Sequence, residues 1–166
     1  MSYIELQDQL DAVSPPGHWL ERGYMLGEMS DDFIRTAMAG YLKLPAGAKR
    51  SALMIAPFGG AIADVPPEAS SAGNRNSRYW CVILVGFDLA SRDAAIKWAE
   101  ELHAALKPFS VGRYTNTLEG TVDTKLIYSS NLLTRLEALK AKWDPLNVFH
   151  HNHNIKPAAA GAKPAN

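Results

Sequence analysis

One cysteine, no surplus of either charge and no long apolar run together exclude several classes of protein. Cys81 is the single cysteine, so no internal disulfide framework is possible. Set inside the apolar run 79–87, it reads as a small buried hydrophobe. Lys+Arg and Asp+Glu number 17 each, which leaves no basic stripe for a nucleic-acid backbone and no cationic cluster for an acidic membrane. The longest apolar stretch falls far short of the ~20 residues that a spanning helix needs. The opening MSYIELQDQLD is polar and acidic, unlike a secretory signal, and the expected location is the cytoplasm.

What remains is a globular composition. Apolar residues make up 47% and charged residues 20% of 166, enough for one domain or one large piece of a longer protein. Residues 4–13 read as a short helix with Ile4, Leu6, Leu10 and Val13 on one side, ended by Ser14-Pro15-Pro16-Gly17. Residues 18–28 look extended or irregular. Ser30 is a good N-cap, Asp31 and Asp32 suit the positive end of a helix, and Phe33, Ile34, Ala37, Met38, Tyr41 and Leu42 recur at helical spacing. Gly40 weakens that helix.

A strand candidate from Ser51 is interrupted by Gly59-Gly60, which suggests a bulge or a close backbone approach. No Gly-Lys-Ser/Thr follows and no helix opens there, so this is not a phosphate loop. Residues 66–77 form a polar loop. Residues 78–88 are the clearest strand, apolar on both faces and therefore central. Ser91 caps a helix to about Leu106 with Ala95, Trp98, Ala99, Leu102 and Leu106 as its inner stripe. Residues 111–117 are a short extended piece and 120–124 a loop.

A final helix spans about 130–143, with Leu132, Leu133, Leu136 and Leu139 on one face and Asp144-Pro145 as its stop. Residues 158–166 form a low-complexity tail, expected to be disordered. Two good strands and three good helices make an α+β pattern. The central strand needs neighbours on both sides, and the chain is expected to lack strands. Trp80, Trp98 and Trp143 are most simply core residues.

The order Tyr128-Ser-Ser-Asn131, Arg135-Leu-Glu-Ala-Leu-Lys140, Asp144-Pro-Leu-Asn-Val-Phe149 and Asn152-His-Asn-Ile-Lys-Pro157 resembles the C-terminus of berberine-bridge-enzyme-like FAD-linked oxidoreductases. The segments SPPG, MSDDFI and APFGGAIADVPPEASSAGNRNSRYWCVIL, and Tyr114-Thr115-Asn116, resemble successive pieces of the same family. The resemblance implies an antiparallel sheet with helices packed on one face. It divides the chain into the second half of a substrate domain (1–110) and a C-terminal segment returning to a flavin domain (111–157), so the substrate domain is incomplete.

The family's FAD takes a hydride from a small organic substrate, and here that would require a separate or fused FAD-binding half. By position, Tyr114 and Asn116 match residues close to the isoalloxazine ring; the bland alternative is a Tyr and an Asn bonding backbone at a strand end. Sugar-oxidising members often carry Tyr after that Asn. Thr117 stands there, too weak an acid for that role, and the catalytic residues stay unknown. His150, His151 and His153 lack a cysteine or carboxylate to complete a metal site, so no metal is expected, and Asn152 and Asn154 are read as backbone partners. The alternative function is a non-catalytic module that forms homo-oligomers or binds proteins through exposed strand edges.

Overall fold

The structure is a computed structural model that describes residues 1–9, 15–66, 69–117 and 123–159. Its elements are α1 (Tyr3–Asp8), β1 (His18–Leu26), α2 (Asp31–Tyr41), β2 (Ala52–Pro57), β3 (Tyr79–Phe87), α3 (Arg92–Leu106), β4 (Ser110–Gly112) and α4 (Ser130–Trp143). The four strands form one sheet in the order β2-β3-β1-β4, with every pairing antiparallel.

β1 and β2 both oppose β3, so they run parallel to each other, and α2 connects them. β3 and β4 both oppose β1, and α3 connects them. Two interleaved split β-α-β units result, the ferredoxin-like arrangement. The fold is therefore α+β with an antiparallel sheet and helices on one face.

This topology corrects the strand count. β3 has hydrogen-bonded neighbours on both sides within the chain, β1 and β2. The stretch 18–28, read as extended or irregular, supplies the second central strand. Its charged pair Glu21-Arg22 disguised it. Arg22 lies on the helix side and is held by Glu100 of α3, with Nε and Nη2 donating to Oε1 at 3.1 and 2.6 Å.

Residues paired across strands share a face. Leu20, Tyr24 and Leu26 of β1 and Cys81, Ile83, Val85 and Phe87 of β3 form the helix side. They pack against Phe33 and Ala37 of α2 and against Ala95, Trp98, Ala99, Leu102 and Leu106 of α3. The inner stripe of α3 is buried as its spacing dictates, and Cys81 is buried among it. Burial also raises the Cys81 thiol to about 12, so it stays protonated and inert. Gly40 is where α2 crosses α3: a Cβ there would lie 2.5 Å from Leu102 Cδ1, and Trp98 Nε1 donates to Gly40 C=O at 2.9 Å.

Several local expectations change. Ser30 does cap α2, its Oγ accepting from Phe33 N–H, but Ser91 makes no side-chain cap, because a 3-10 turn at Leu89–Ser91 leads into α3. β2 ends before Gly59-Gly60, which is neither bulge nor close approach. Gly60 takes φ +57 and opens a 3-10 turn to Ile62, with no atom within 4 Å of where a Cβ would be at either glycine.

α1 stops at Asp8 and its Tyr3, Ile4 and Leu6 are exposed. Leu10 and Val13 of its expected face lie outside the described residues, as do parts of the 66–77 and 120–124 loops and most of the tail from 158. On α4 only Leu132 is buried. Trp143 is 75% exposed, against 4% for Trp98, which removes it from the core.

Candidate functional site

The side of the sheet away from α2 and α3 presents Trp19, Glu21, Gly23 and Met25 of β1 beside Gly86, Leu84, Val82 and Trp80 of β3. A turn from Arg113 to Thr117, continuing β4, is seated across its end. The stretch 111–117 is thus extended only to Gly112, and Thr115–Thr117 form a 3-10 turn. Tyr114 and Asn116 sit on that turn and not at a strand end.

Contacts from several segments hold the turn. Arg113 Nη1 donates to Gly23 C=O at 2.7 Å, and its guanidinium lies 4.1 Å over the Tyr24 ring, a cation–π arrangement. Asn74 Nδ2 donates to Arg113 C=O at 2.7 Å, with Asn74 itself in the left-handed region at φ 58. Thr117 Oγ1 donates to Tyr114 C=O at 3.2 Å. Thr117 is buried against Gly23, where a Cβ would overlap its Oγ1. Glycine is needed in β1 at this point because the turn touches the strand backbone.

On this mount the two expected residues come together. Asn116 Nδ2 donates to Tyr114 Oη at 3.2 Å, and Asn116 is exposed. The Tyr114 ring meets Trp80 edge-on at 5.9 Å and Phe58 at 6.3 Å. Trp80 and Phe58 were not singled out as site residues. The signal for Trp80 lay in strand register: it is one residue from Cys81, so it points to the opposite face from the helices. Trp80 Nε1 is buried with no partner among the described residues.

Behind the turn, His103 of α3 stacks on Tyr24 at 4.7 Å, and Tyr24 Oη donates to His103 C=O. Burial first, and then the Arg113 charge, pull the imidazole pKa down from 6.5 to about 4. The unfolded chain therefore takes up this proton near pH 6.5 and the folded chain only near 4. Stability falls as pH drops through that window and the loss is complete below it. His103→Gln removes this component. Urea midpoints measured at pH 7, 5.5 and 4 fall less steeply for His103→Gln than for the unaltered chain; parallel profiles would refute the assignment.

The C-terminal segment is organised by one carboxylate. Asp144 accepts from Val148 N–H at 2.8 Å and Phe149 N–H at 3.0 Å and pairs with Lys140. Lys140 Nζ also donates to Phe149 C=O at 2.6 Å. The Lys140 bond and the two backbone bonds hold the Asp144 carboxyl below its ordinary range. The clamp presents Leu139, Trp143, Leu146, Val148 and Phe149 to solvent, Leu146 and Phe149 more than 80% exposed (85% and 81%).

His150 and His151 lie ring against ring at 4.6 Å, and His150 Nδ1 is 3.1 and 3.0 Å from the Asn147 and Val148 carbonyls. Asn152 provides a turn at φ 62. The reading of Asn154 as a backbone partner is corrected: its Oδ1 is buried without one among the described residues.

Residues 113–156 match the family described as berberine and berberine-like. An FAD-linked oxidoreductase of Dictyostelium discoideum is 33% identical over 159 residues, covering 93% of this chain and 34% of that protein. A glycopeptide hexose oxidase solved with teicoplanin superposes over 86% of this chain and 33% of its own, with TM-score 0.76 and 21% identity. Berberine bridge enzyme from Eschscholzia californica does so over 85% and 33%, with TM-score 0.73 and 19% identity. The chain thus spans about a third of the length of the relatives it matches, and no described helix is long and apolar enough to cross a membrane.

Proposed function

Because the chain is a berberine-bridge-enzyme-like sequence that matches about a third of an FAD-linked oxidoreductase, we propose that it corresponds to the C-terminal part of such a protein and forms one wall of a flavin site. The rest of that site belongs to an FAD-binding half. In this reading residues 1–110 are the second half of the substrate domain, and 111–157 return to the flavin domain. The carrying observation is the Tyr114–Asn116 pair, braced on Trp80 and Phe58 with the Asn116 amide exposed.

The described residues fit the planar end of FAD and not its pyrophosphate. A flat aromatic edge and an amide that both donates and accepts suit ring heteroatoms. Gly59-Gly60, by contrast, leads only into a three-residue 3-10 turn in open space. When bound, the flavin supplies the capacity to take a hydride from a small organic substrate. This chain's part is to position and to exclude water. Tyr114, Trp80 and Phe58 give an apolar wall, and Asn116 orients the ring. Thr117 Oγ1 donates to Tyr114 C=O and holds the turn, so it does not serve as a base, and no catalytic base is assigned to this chain. The exposed Leu139–Phe149 surface supports docking of the segment onto a second body.

The test is flavin retention. The chain alone emerges colourless from gel filtration in excess FAD. Mixed or fused with the portion of a related FAD-linked oxidoreductase that it does not cover, it co-elutes with flavin. Asn116→Ala lowers retention roughly 2- to 10-fold, the worth of one hydrogen bond of about 0.5–1.5 kcal/mol. A yellow chain in isolation, or no complex with the companion half, would sink the reading. A second reading, a non-catalytic module that pairs through strand edges, is supported by one observation: β2 is an edge strand with Met54 and Ile55 at the surface.

A further inference from the structure

The outer edge of β2 can be accounted for group by group. Phe58 N–H donates to Arg78 C=O across the ladder at 2.8 Å. Backbone groups alternate sides along a strand, so Ala52, Met54 and Ala56 face β3 while Leu53, Ile55 and Pro57 face outward. Pro57 has no N–H to offer, and proline at the outward side of an edge strand is where a ladder ends. At the other end Ser51 is already engaged, its N–H donating to Ala48 C=O at 3.0 Å and its C=O accepting from Tyr41 Oη at 3.1 Å. Between these two stops the open edge consists of the N–H and C=O of Leu53 and of Ile55, with no partner among the described residues.

That set is symmetric about Met54. We infer that β2 pairs antiparallel with β2 of a second copy of this chain, Leu53 opposite Ile55 in both directions and Met54 opposite itself on a two-fold axis. Four hydrogen bonds close, and the stops at Ser51 and Pro57 forbid any longer register. An isologous contact of this kind is the commonest way for identical chains to associate, and it joins two four-stranded sheets into one.

The side chains suit the same partner. Met54 is 45% and Ile55 36% exposed, and β2 carries no charge, so self-pairing sets no like charges opposite each other. On the helix side, Leu53 and Ile55 form the floor of an apolar groove of about 500 Å³ with Met29, Ile34 and Met38. The same groove of the second copy would meet it across the axis, covering Ile34 and Met38 of α2, which the chain leaves exposed. The inference deepens the second reading by naming its partner. Its test needs no flavin, so its failure leaves the flavin-wall reading untouched.

Light scattering on the gel-filtered chain gives twice 18.1 kDa, and Met54→Asp returns it to the single-chain mass, because two carboxylates then face each other at the axis. Met54→Leu keeps the dimer. Met54→Cys, in a Cys81→Ala background, oxidises to a covalent dimer, since a non-hydrogen-bonded pair brings Cα atoms to about 4.5 Å, within disulfide reach. Should Met54→Asp fail to fold, the cross-link decides alone. A chain of single mass at all concentrations overturns the inference. A dimer that resists Met54→Asp and does not cross-link at position 54 also overturns it.

Discussion

Trp98→Ala lowers the stability of the chain by about 3–5 kcal/mol, the usual cost of truncating a large aromatic in a packed core. Trp98 is one of the largest side chains on the helix side of the sheet. It sits edge-on to Tyr41 at 6.2 Å and joins α3 to α2 through the Gly40 carbonyl. Removing it empties the space under the crossing of the two helices, and Gly40 cannot refill it. The lost hydrogen bond adds little, because Gly40 C=O still accepts from Lys43 N–H at 3.1 Å. Most of the cost is cavity, so Trp98→Phe recovers more than half. The measurement is the shift in urea midpoint at constant slope. Trp143→Ala is the matched control, an equally large side chain in a helix that stays within about 0.5 kcal/mol of the unaltered chain. Similar losses for the two variants would refute the burial assignment of both.

The two tryptophans mark what periodicity can and cannot show. Helical spacing on α3 reveals both the element and its buried face, because the sheet that covers that face lies in the same chain. On α4 the spacing is as clear and the helix forms where it should, yet Leu139 and Trp143 stay at the surface. Amphipathicity says that a face seeks cover; it does not say whether the cover lies in the same chain.

β1 failed for a different reason. Its charged Glu21-Arg22 breaks the alternation expected of a central strand, and the compensating carboxylate is Glu100, 78 positions away. The candidate site was half legible. Resemblance pointed to Tyr114 and Asn116, but the contacts that hold them are long-range: Gly23, Asn74 and Trp80 come from three separate segments and carry no local signature. Gly23 is the point at which the turn is allowed to land.

Gly23→Val therefore separates the strand from the site. Valine suits a central strand, so the substitution brings no penalty from backbone preference. Its Cβ, however, would lie 2.2 Å from Thr117 Oγ1 and 2.9 Å from Thr117 Cβ. Overpacking of this kind costs about 1–3 kcal/mol, and the cheapest escape is to lift the turn away from the sheet. Lifting it stretches the Arg113–Gly23 hydrogen bond and withdraws Tyr114 from Trp80. The Thr117 N–H, which donates to Tyr114 C=O at 3.2 Å, then exchanges faster with solvent while amides of β3 and α3 keep their protection. Paired with a flavin-binding half, the variant retains less flavin than the unaltered chain, because Asn116 is no longer held in place. Thr117→Gly removes both clashing atoms, so Gly23→Val/Thr117→Gly recovers the turn's protection, with a coupling of about 0.5–3 kcal/mol between the two positions. If the double variant is no better than Gly23→Val alone, the clash is not at Thr117 and the seating of the turn described here is wrong. If Gly23→Val leaves both exchange and flavin retention unchanged, the turn does not depend on this landing point at all.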